Sequence, residues 1–418
     1  GSGFFMPMMM GYMMGQMMNR NSAAAPQNFQ QNSNPSAAGA NGRNIRTQPL
    51  YKGRDDYNNF RTSNNVKLDK GIGPIQLKPS QVQPQFGQVA KRSGFGSQGA
   101  ARSGGSTFGG YRLKRHHINE RANWRAYAEE VGFKFHTFDG EPYWDETAYY
   151  QFSLQQIEND LEAPTEEIHQ MVMDMVSDIT RSEEMLTLLN IPRDFWSYVW
   201  NSWSKTQPHL YGRLDLVYDG TGPAKLLELN YDTPTSLYET GFFQWVWLED
   251  QINAGVLPAH ADQFNSLQDK LEQAFAELNL PQPFYFSSVR ESIEDKGTVE
   301  YLMDIAIQAG VDVRYIAIED LGELHGQLVD LDNQPVKGLF KLYPWEFMVQ
   351  EEFAKVVTTS ETQIIEPGWK MLLSNKGILP LLWQRYPNHP NLLPAFFETP
   401  KSEPISAGWV RKPLFSRE

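Results

Sequence analysis

The sequence predicts an α/β protein with α+β elements, preceded by a long segment that cannot build a core. Three observations carry this expectation. Residues 264–316 alternate helical and extended patterns: helix over 264–278, strand over 283–287, helix over 298–309, strand over 312–316. That βαβ order implies a parallel sheet with helices on its faces. The stretch from Arg213 to Ser236 reads as two strands around a turn, because Asp219-Gly-Thr-Gly-Pro223 is dense in turn residues and both flanks alternate apolar with polar. Composition, finally, breaks near residue 110. Residues 1–110 carry 12 Lys/Arg and 3 Asp/Glu, a net +9, which leaves 25 against 47, a net −22, for the remainder.

In chain order, the sequence begins Gly1-Ser-Gly without an initiator methionine and reads as an internal fragment, so a targeting signal upstream would lie outside it. Residues 3–18 are Met-rich but broken by Pro7 and three glycines, which suits a flexible contact face against a membrane surface or partner. Residues 19–110 are rich in Asn, Gln, Ser, Gly and Pro and are expected to be disordered. No run approaches the roughly eighteen apolar residues of a membrane helix. The absence of cysteine excludes disulfides, thiolate metal sites and a cysteine nucleophile. The acidity of residues 111–418 argues against a nucleic-acid footprint and fits a polycationic or amine partner.

Order is expected from Ile118, with Trp124, Tyr127, Val131, Phe133 and Phe135 starting a compact region and Gly140-Glu-Pro-Tyr-Trp144 an aromatic turn used for packing. Ile157, Leu161, Ile168, Met171, Met175 and Ile179 predict a helix over 154–189. His169 within it reads as a surface or satisfied core histidine. Trp196, Trp200 and Trp203 recur on one helical face and are expected to brace the hairpin.

In the hairpin, Leu214 and Leu216 leave one face and Arg213 and Asp215 the other. On the return strand Leu227 and Leu229 share a face, and Glu228 and Asn230 the opposite one. Symmetric closure about Thr221 and Gly222 sets Arg213 opposite Asn230 and Asp215 opposite Glu228. Two opposed carboxylates repel unless a cation lies between them or one holds a proton. Magnesium takes oxygen ligands from one or two carboxylates and from phosphates, so Asp215, Glu228 and the Asn230 amide oxygen form a candidate set. Arg213 beside them supplies the planar charge that phosphoryl oxygens want. The plain alternative is an exposed hairpin with a solvated polar face.

Thr233, Thr235 and Ser236 then either cap the apolar helix over 242–248 or, with its free N–H groups, meet an anion. Residues 336–343 read as a strand, in which Lys341 is ordinary solvated charge. Lys376 sits between a cap at Ser374-Asn375 and an apolar helix. Lys412 lies in the apolar run Trp409-Val-Arg-Lys-Pro-Leu-Phe415. A lysine inside a short apolar strand is expensive unless it meets an anion.

Taken together, Tyr211-Gly-Arg-Leu-Asp215, Leu227-Glu-Leu-Asn-Tyr-Asp-Thr-Pro-Thr-Ser236, Ser374-Asn-Lys-Gly-Ile-Leu-Pro380 and Val410-Arg-Lys-Pro-Leu-Phe-Ser-Arg417 resemble, in order, the motifs of the glutathionylspermidine synthase family. The resemblance covers about residues 115–418. It implies a preATP-grasp plus incomplete ATP-grasp fold, and ATP-dependent acid–amine ligation through an acyl phosphate. The substrates implied are a glutathione-like peptide and a polyamine, and the cofactors ATP and Mg2+. It further implies Asp215, Glu228 and Asn230 as magnesium ligands, Arg213 on the acyl phosphate and tetrahedral intermediate, and Lys376 and Lys412 on nucleotide phosphates. Thr233 and Thr235 stand where the family places serines near the thiol-peptide, and Ser236 where it can have a cysteine, a difference that bears on glutathione itself.

The family continues beyond Glu418 with the rest of its ATP-binding subdomain, so the fragment is expected to bind nucleotide weakly and to be inactive alone. Residues 1–110 take the place of the amidase domain of bifunctional members, and no hydrolysis is implied.

Residues 5–15, Gln48-Pro-Leu-Tyr51 and Gly109-Gly110 are similar to the C-terminal half of a family of small bacterial envelope proteins of unknown function. The expected organisation is therefore a segment 1–110 and a ligase domain 111–418. The join is either a natural fusion or two reading frames run together. The ligase domain is expected in the cytoplasm, and the N-terminal segment hints at the envelope. The competing reading is a non-catalytic envelope-associated scaffold that retains the fold. Against it, a scaffold has no reason to keep a mutually repelling acid pair.

Overall fold

A computed structural model describes the backbone of residues 50–53 and 56–62, and the chain at 113–399, 402, 404 and 406–415. The Met-rich start and most of the segment expected to be disordered lie outside the described residues. Within that segment Leu50–Gly53 and Asp56–Thr62 pair antiparallel, a local departure from the expectation. The described chain divides into two units, each assembled from separated stretches. One contains Lys114–Leu154 and Thr235–Leu321; the other contains Gln155–Pro234 and Gly322–Glu418.

In the first unit the βαβ expectation holds. Strands Phe284–Ser288 and Val313–Ala317 run parallel, Phe284 opposite Val313 and Ser288 opposite Ala317. All five residues of Phe284–Ser288 are buried, as a strand covered on both faces requires. The connecting helix, Ile293–Gln308, begins five residues earlier than its apolar spacing suggests. Ser292 starts it: the Ser292 Oγ accepts the Asp295 N–H at 3.2 Å, with Glu294 and Asp295 in the positive first turn. Gly310, at φ +89°, follows its end.

The unit's second core is aromatic. Phe133 is fully buried, its ring 4.7 Å from Phe135, 4.6 Å from Phe243 and 6.0 Å from Trp144. The predicted aromatic turn is a two-residue hairpin. Asp139 and Gly140, at φ 49° and 82°, join Thr137–Phe138 to Glu141–Pro142, as a tight turn with two positive φ angles demands.

In the second unit the long helix expected over 154–189 is three pieces. A π-helical Gln156–Glu162 leads into Ala163–Thr180; the chain then breaks, and Ser182, whose Oγ accepts the Met185 N–H, starts Glu183–Leu188. Ile157, Ile168, Met171, Met175 and Ile179 are buried as expected, but the wider π turn shifts the phase and leaves Leu161 half-exposed.

The helix Trp196–Ser204 corrects a second expectation. Val199 and Ser202 form its buried face, while the three tryptophans flank it half-exposed. Arg193 lies over Trp196, Arg181 over Trp200, and Trp203 meets Trp369 edge-on at 5.1 Å. The helix packs through Ser202, whose Oγ accepts the Trp369 N–H at 2.8 Å, and through Tyr198, which leaves room only for a glycine at 368. The strand expected over 336–343 is shorter, Gly338–Lys341, and pairs parallel with Gln363–Ile365. Among the described residues no helix is long and apolar enough to cross a membrane.

Candidate functional site

The central hairpin lies in the second unit. Strands Arg213–Val217 and Lys225–Asn230 are antiparallel, with Arg213 opposite Asn230, Leu214 opposite Leu229 and Asp215 opposite Glu228. Beyond Asp215 the register slips: Leu216 faces Leu226 and Val217 faces Lys225. Closure is therefore not symmetric about Thr221 and Gly222. Leu227 is the extra residue of a bulge, and the buried residues of the return strand are Leu226 and Leu229 rather than Leu227 and Leu229. The bulge keeps the polar end in register while burying an apolar side chain nearer the turn. Asp219 closes the turn: its Oδ1 accepts the Thr221 and Gly222 N–H groups at 2.9 and 3.2 Å. These bonds, Thr221 foremost, hold the Asp219 carboxyl below the usual range.

The opposed acids are both half-buried, and Asp215 has a cation. Arg213, two residues earlier on the same face, grips it with Nε to Oδ1 at 2.8 Å and Nη2 to Oδ2 at 3.2 Å. The Asn230 Oδ1 accepts the Thr233 N–H at 3.2 Å, which turns the chain after the strand. Among the described residues no group of three or more His, Asp or Glu gathers as a metal cluster.

Directly after the strand comes a buried ionic network that sequence reading missed. Lys341, read as solvated charge, is fully buried, and its Nζ pairs with Asp232 at 2.7 Å and donates to the Tyr343 carbonyl at 2.9 Å. The other Asp232 oxygen accepts the Trp345 N–H at 2.6 Å. Lys370 and Glu366, both buried, pair at 2.5 Å. Burial pushes both ammonium groups down and the Glu366 carboxyl up, and the opposite charges pull them back. The only sequence signal was negative: Lys341 sits among Leu339, Phe340 and Leu342 with no polar alternation to carry it outward.

Lys376 is half-buried beside this network. Burial lowers its pKa, the field of Glu228 raises it, Lys412 lowers it and Glu346 raises it. The cap expected at Ser374-Asn375 takes another form. The Ser374 Oγ accepts the Tyr231 and Asp232 N–H groups at 3.1 and 2.8 Å, while the Asn375 Oδ1 accepts the Gly377 N–H at 2.8 Å. Lys412 is not in an apolar strand. Residues 409–413 have no regular structure, Trp409 and Val410 are largely exposed, and Lys412 is exposed. Pro413 has no N–H for a ladder. The Lys376 N–H bonds the Leu414 carbonyl at 2.9 Å, which ties the segment of Lys412 to that of Lys376.

Thus Arg213, Asp215, Glu228, Asn230, Thr233, Lys376 and Lys412 all belong to the second unit, whereas Thr235 and Ser236 belong to the first. There the helix after them opens at Leu237, with the Ser236 carbonyl rather than its hydroxyl bonded into the first turn, to the Thr240 N–H at 3.1 Å. Ser236 instead has φ 74° and a buried Oγ with no hydrogen bond, two costs that accumulate where a backbone is held for use.

His169 is satisfied, as expected, by the Tyr231 hydroxyl at 2.8 Å. His209 packs edge-on against Trp369. Burial, then Lys370 and His169, push it down to about 3. It folds neutral but titrates near 6.5 when unfolded, so the unfolded chain binds the extra proton and stability drops as pH falls from about 6.5 toward 3. His209→Gln is accordingly expected to flatten the decline of the melting temperature between pH 7 and 5; equal slopes in variant and wild type would refute this.

Residues 115–418 match the glutathionylspermidine synthase preATP-grasp family, and residues 1–106 match a family described as protein of unknown function (DUF1190). A Haemophilus influenzae protein named for acid–amine ligase activity is 42% identical over 302 residues, covering 69% of this chain and 74% of that protein. The bifunctional glutathionylspermidine synthetase/amidase of Escherichia coli is 25% identical over 295 residues, covering 64% and 46%. Trypanothione synthetase of Crithidia fasciculata is 25% identical over 276 residues, covering 60% and 42%. The chain thus spans under half the length of the two named synthetases.

Proposed function

Because this chain belongs to the glutathionylspermidine synthase preATP-grasp family, we propose that it is an ATP- and magnesium-dependent carboxylate–amine ligase joining a glutathione-like peptide acid to a polyamine. Residues 111–418 form the ligase portion in this reading. The observation that supports it best is the hairpin register, which sets Asp215 directly against Glu228 with Arg213 and Asn230 as the adjoining pair.

That donor set fits a hard cation: two carboxylates and an amide oxygen, without nitrogen or sulfur ligands. Asp215, Glu228 and Asn230 would hold Mg2+, which when bound neutralises phosphate oxygens. The Arg213 fork, now on two oxygens of Asp215, suits two phosphate oxygens equally well and stabilises charge on the acyl phosphate and tetrahedral intermediate. Lys376, facing Glu228 and Glu346, and the exposed Lys412 serve the nucleotide phosphates. Thr233 lies beside Asn230 for the acid substrate.

In the reaction, a carboxylate oxygen of the acid attacks the γ-phosphorus and ADP leaves. The amine nitrogen then attacks the acyl carbon, phosphate departs and the nitrogen loses a proton. No protein nucleophile is required, so positioning and charge neutralisation do most of the catalysis.

ADP release by the full-length protein that carries residues 111–418 is the test, with ATP and magnesium against a panel of peptide acids and polyamines. Release is expected only when one acid and one amine are both present, and Asp215→Ala is expected to lower it at least about 100-fold. No MgATP binding, or release indifferent to the acid and the amine, would overturn the reading.

A further inference from the structure

The segment from Glu366 to Lys376 touches both ends of the hairpin. At one end, the buried Glu366 carboxylate accepts the Leu210 N–H at 3.1 and 3.2 Å and the Tyr211 N–H at 3.1 Å. Lys370 completes the grip, its Nζ donating to the Tyr211 carbonyl at 2.8 Å while pairing with Glu366 at 2.5 Å. Three backbone groups immediately before Arg213 are therefore held by two side chains that reach no solvent. At the other end, Ser374 accepts the Tyr231 and Asp232 N–H groups immediately after Asn230. Two residues later the segment reaches Lys376.

The strand ends are also locked to each other. The Tyr211 hydroxyl donates to the Pro234 carbonyl at 2.8 Å. A Cβ on Gly212 would stand 2.6 Å from the Tyr231 ring, so only glycine lets the strands approach there.

Resting on the ligase reading above, we propose that Glu366 and Lys370 are positioning residues that register Arg213 and Lys376 against the Asp215–Glu228–Asn230 face. A buried ion pair is a poor device for stability alone, since neutral replacement of both partners is often tolerated. Here the pair has a use that a neutral pair lacks. The two carboxylate oxygens accept the adjacent N–H groups, the ammonium donates to the carbonyl beside them, and each of these bonds is charge-assisted. Because one short segment carries the clamp and Lys376, displacement of the clamp moves the arginine and the lysine apart.

The test is the double variant Glu366→Gln/Lys370→Met in the whole chain, which removes both charges and leaves neither partner buried alone. Two readouts are taken: amide hydrogen exchange over residues 210–217, and magnesium-dependent binding of a fluorescent ADP analogue. The expected result is a melting temperature close to wild type, exchange over 210–217 at least about tenfold faster with the Ala163–Thr180 helix unchanged, and nucleotide binding weakened roughly 10–100-fold, as when the support of a metal ligand is removed. Unchanged exchange, or unchanged nucleotide affinity despite faster exchange, overturns the proposal. If the double variant does not fold, Lys370→Arg, which keeps the charge pair but displaces its donor from the Tyr211 carbonyl, is read the same way with smaller changes expected. Both readouts are taken in the full-length protein; failure of its wild-type form to bind the analogue overturns the ligase reading, and the exchange comparison still decides whether the clamp exists.

Discussion

Lys341→Met is expected to destabilise the second unit by about 3–5 kcal/mol, because it strands the Asp232 carboxylate in the interior. Asp232 is 3% exposed, and the full charge bonded to it is the Lys341 ammonium at 2.7 Å. The Trp345 N–H, its other partner, is neutral. Removing the lysine also removes the donor to the Tyr343 carbonyl and the cation 4.4 Å from the Trp345 ring centre. Adding Asp232→Asn should recover part of the loss, because a neutral amide is cheaper to bury than an unpaired charge. Urea unfolding of the single and double variants measures this. If Lys341→Met unfolds within about 1 kcal/mol of wild type, the pair is not the buried, charged interaction described here.

Phe133→Ala is expected to cost the first unit about 3–5 kcal/mol. The ring is fully buried, and six aromatic rings lie against it: Phe135, His136, Tyr143, Trp144, Tyr238 and Phe243. Large rigid rings relax little, so the cavity stays open and most of the dispersion contact is lost. Phe396→Ala is the control. That ring is 67% exposed and touches Trp409, so its loss should fall within about 0.5 kcal/mol. Thermal unfolding of the two variants should therefore separate clearly, and similar midpoints would refute the packing argument for Phe133.

Much of the candidate site is legible in the amino-acid sequence. Alternation places Arg213 and Asp215 on one face, and the turn chemistry of Asp219–Pro223 then sets Asp215 opposite Glu228, because both are local properties of a hairpin. The bulge at Leu227 is not legible there. Symmetric closure is the simplest reading of the turn, and what displaces it is the demand that Leu226 and Leu229 be buried together, which depends on what lies beneath the strand. The same limit explains Lys412. Its apolar neighbours suggest a strand, yet a strand needs a partner, and Trp409 and Val410 remain exposed without one.

The sequence by itself determined the family, the βαβ order of residues 264–316, the hairpin and the identity of its acidic pair. Each follows from short-range periodicity, turn residues or ordered motifs, which are written within a few residues of where they act. Only the tertiary structure decided that Lys341 and Lys370 are interior cations, that Ser374 holds the strand end rather than a helix start, and that Glu366 reaches back to the residues before Arg213. Those contacts join positions 109 to 159 residues apart, save the Lys370–Glu366 pair, whose partners are four residues apart in one buried segment. A charged side chain reads as surface until the chain folds, because burial is tolerable only where an opposite charge is held against it and the rest of the chain covers both.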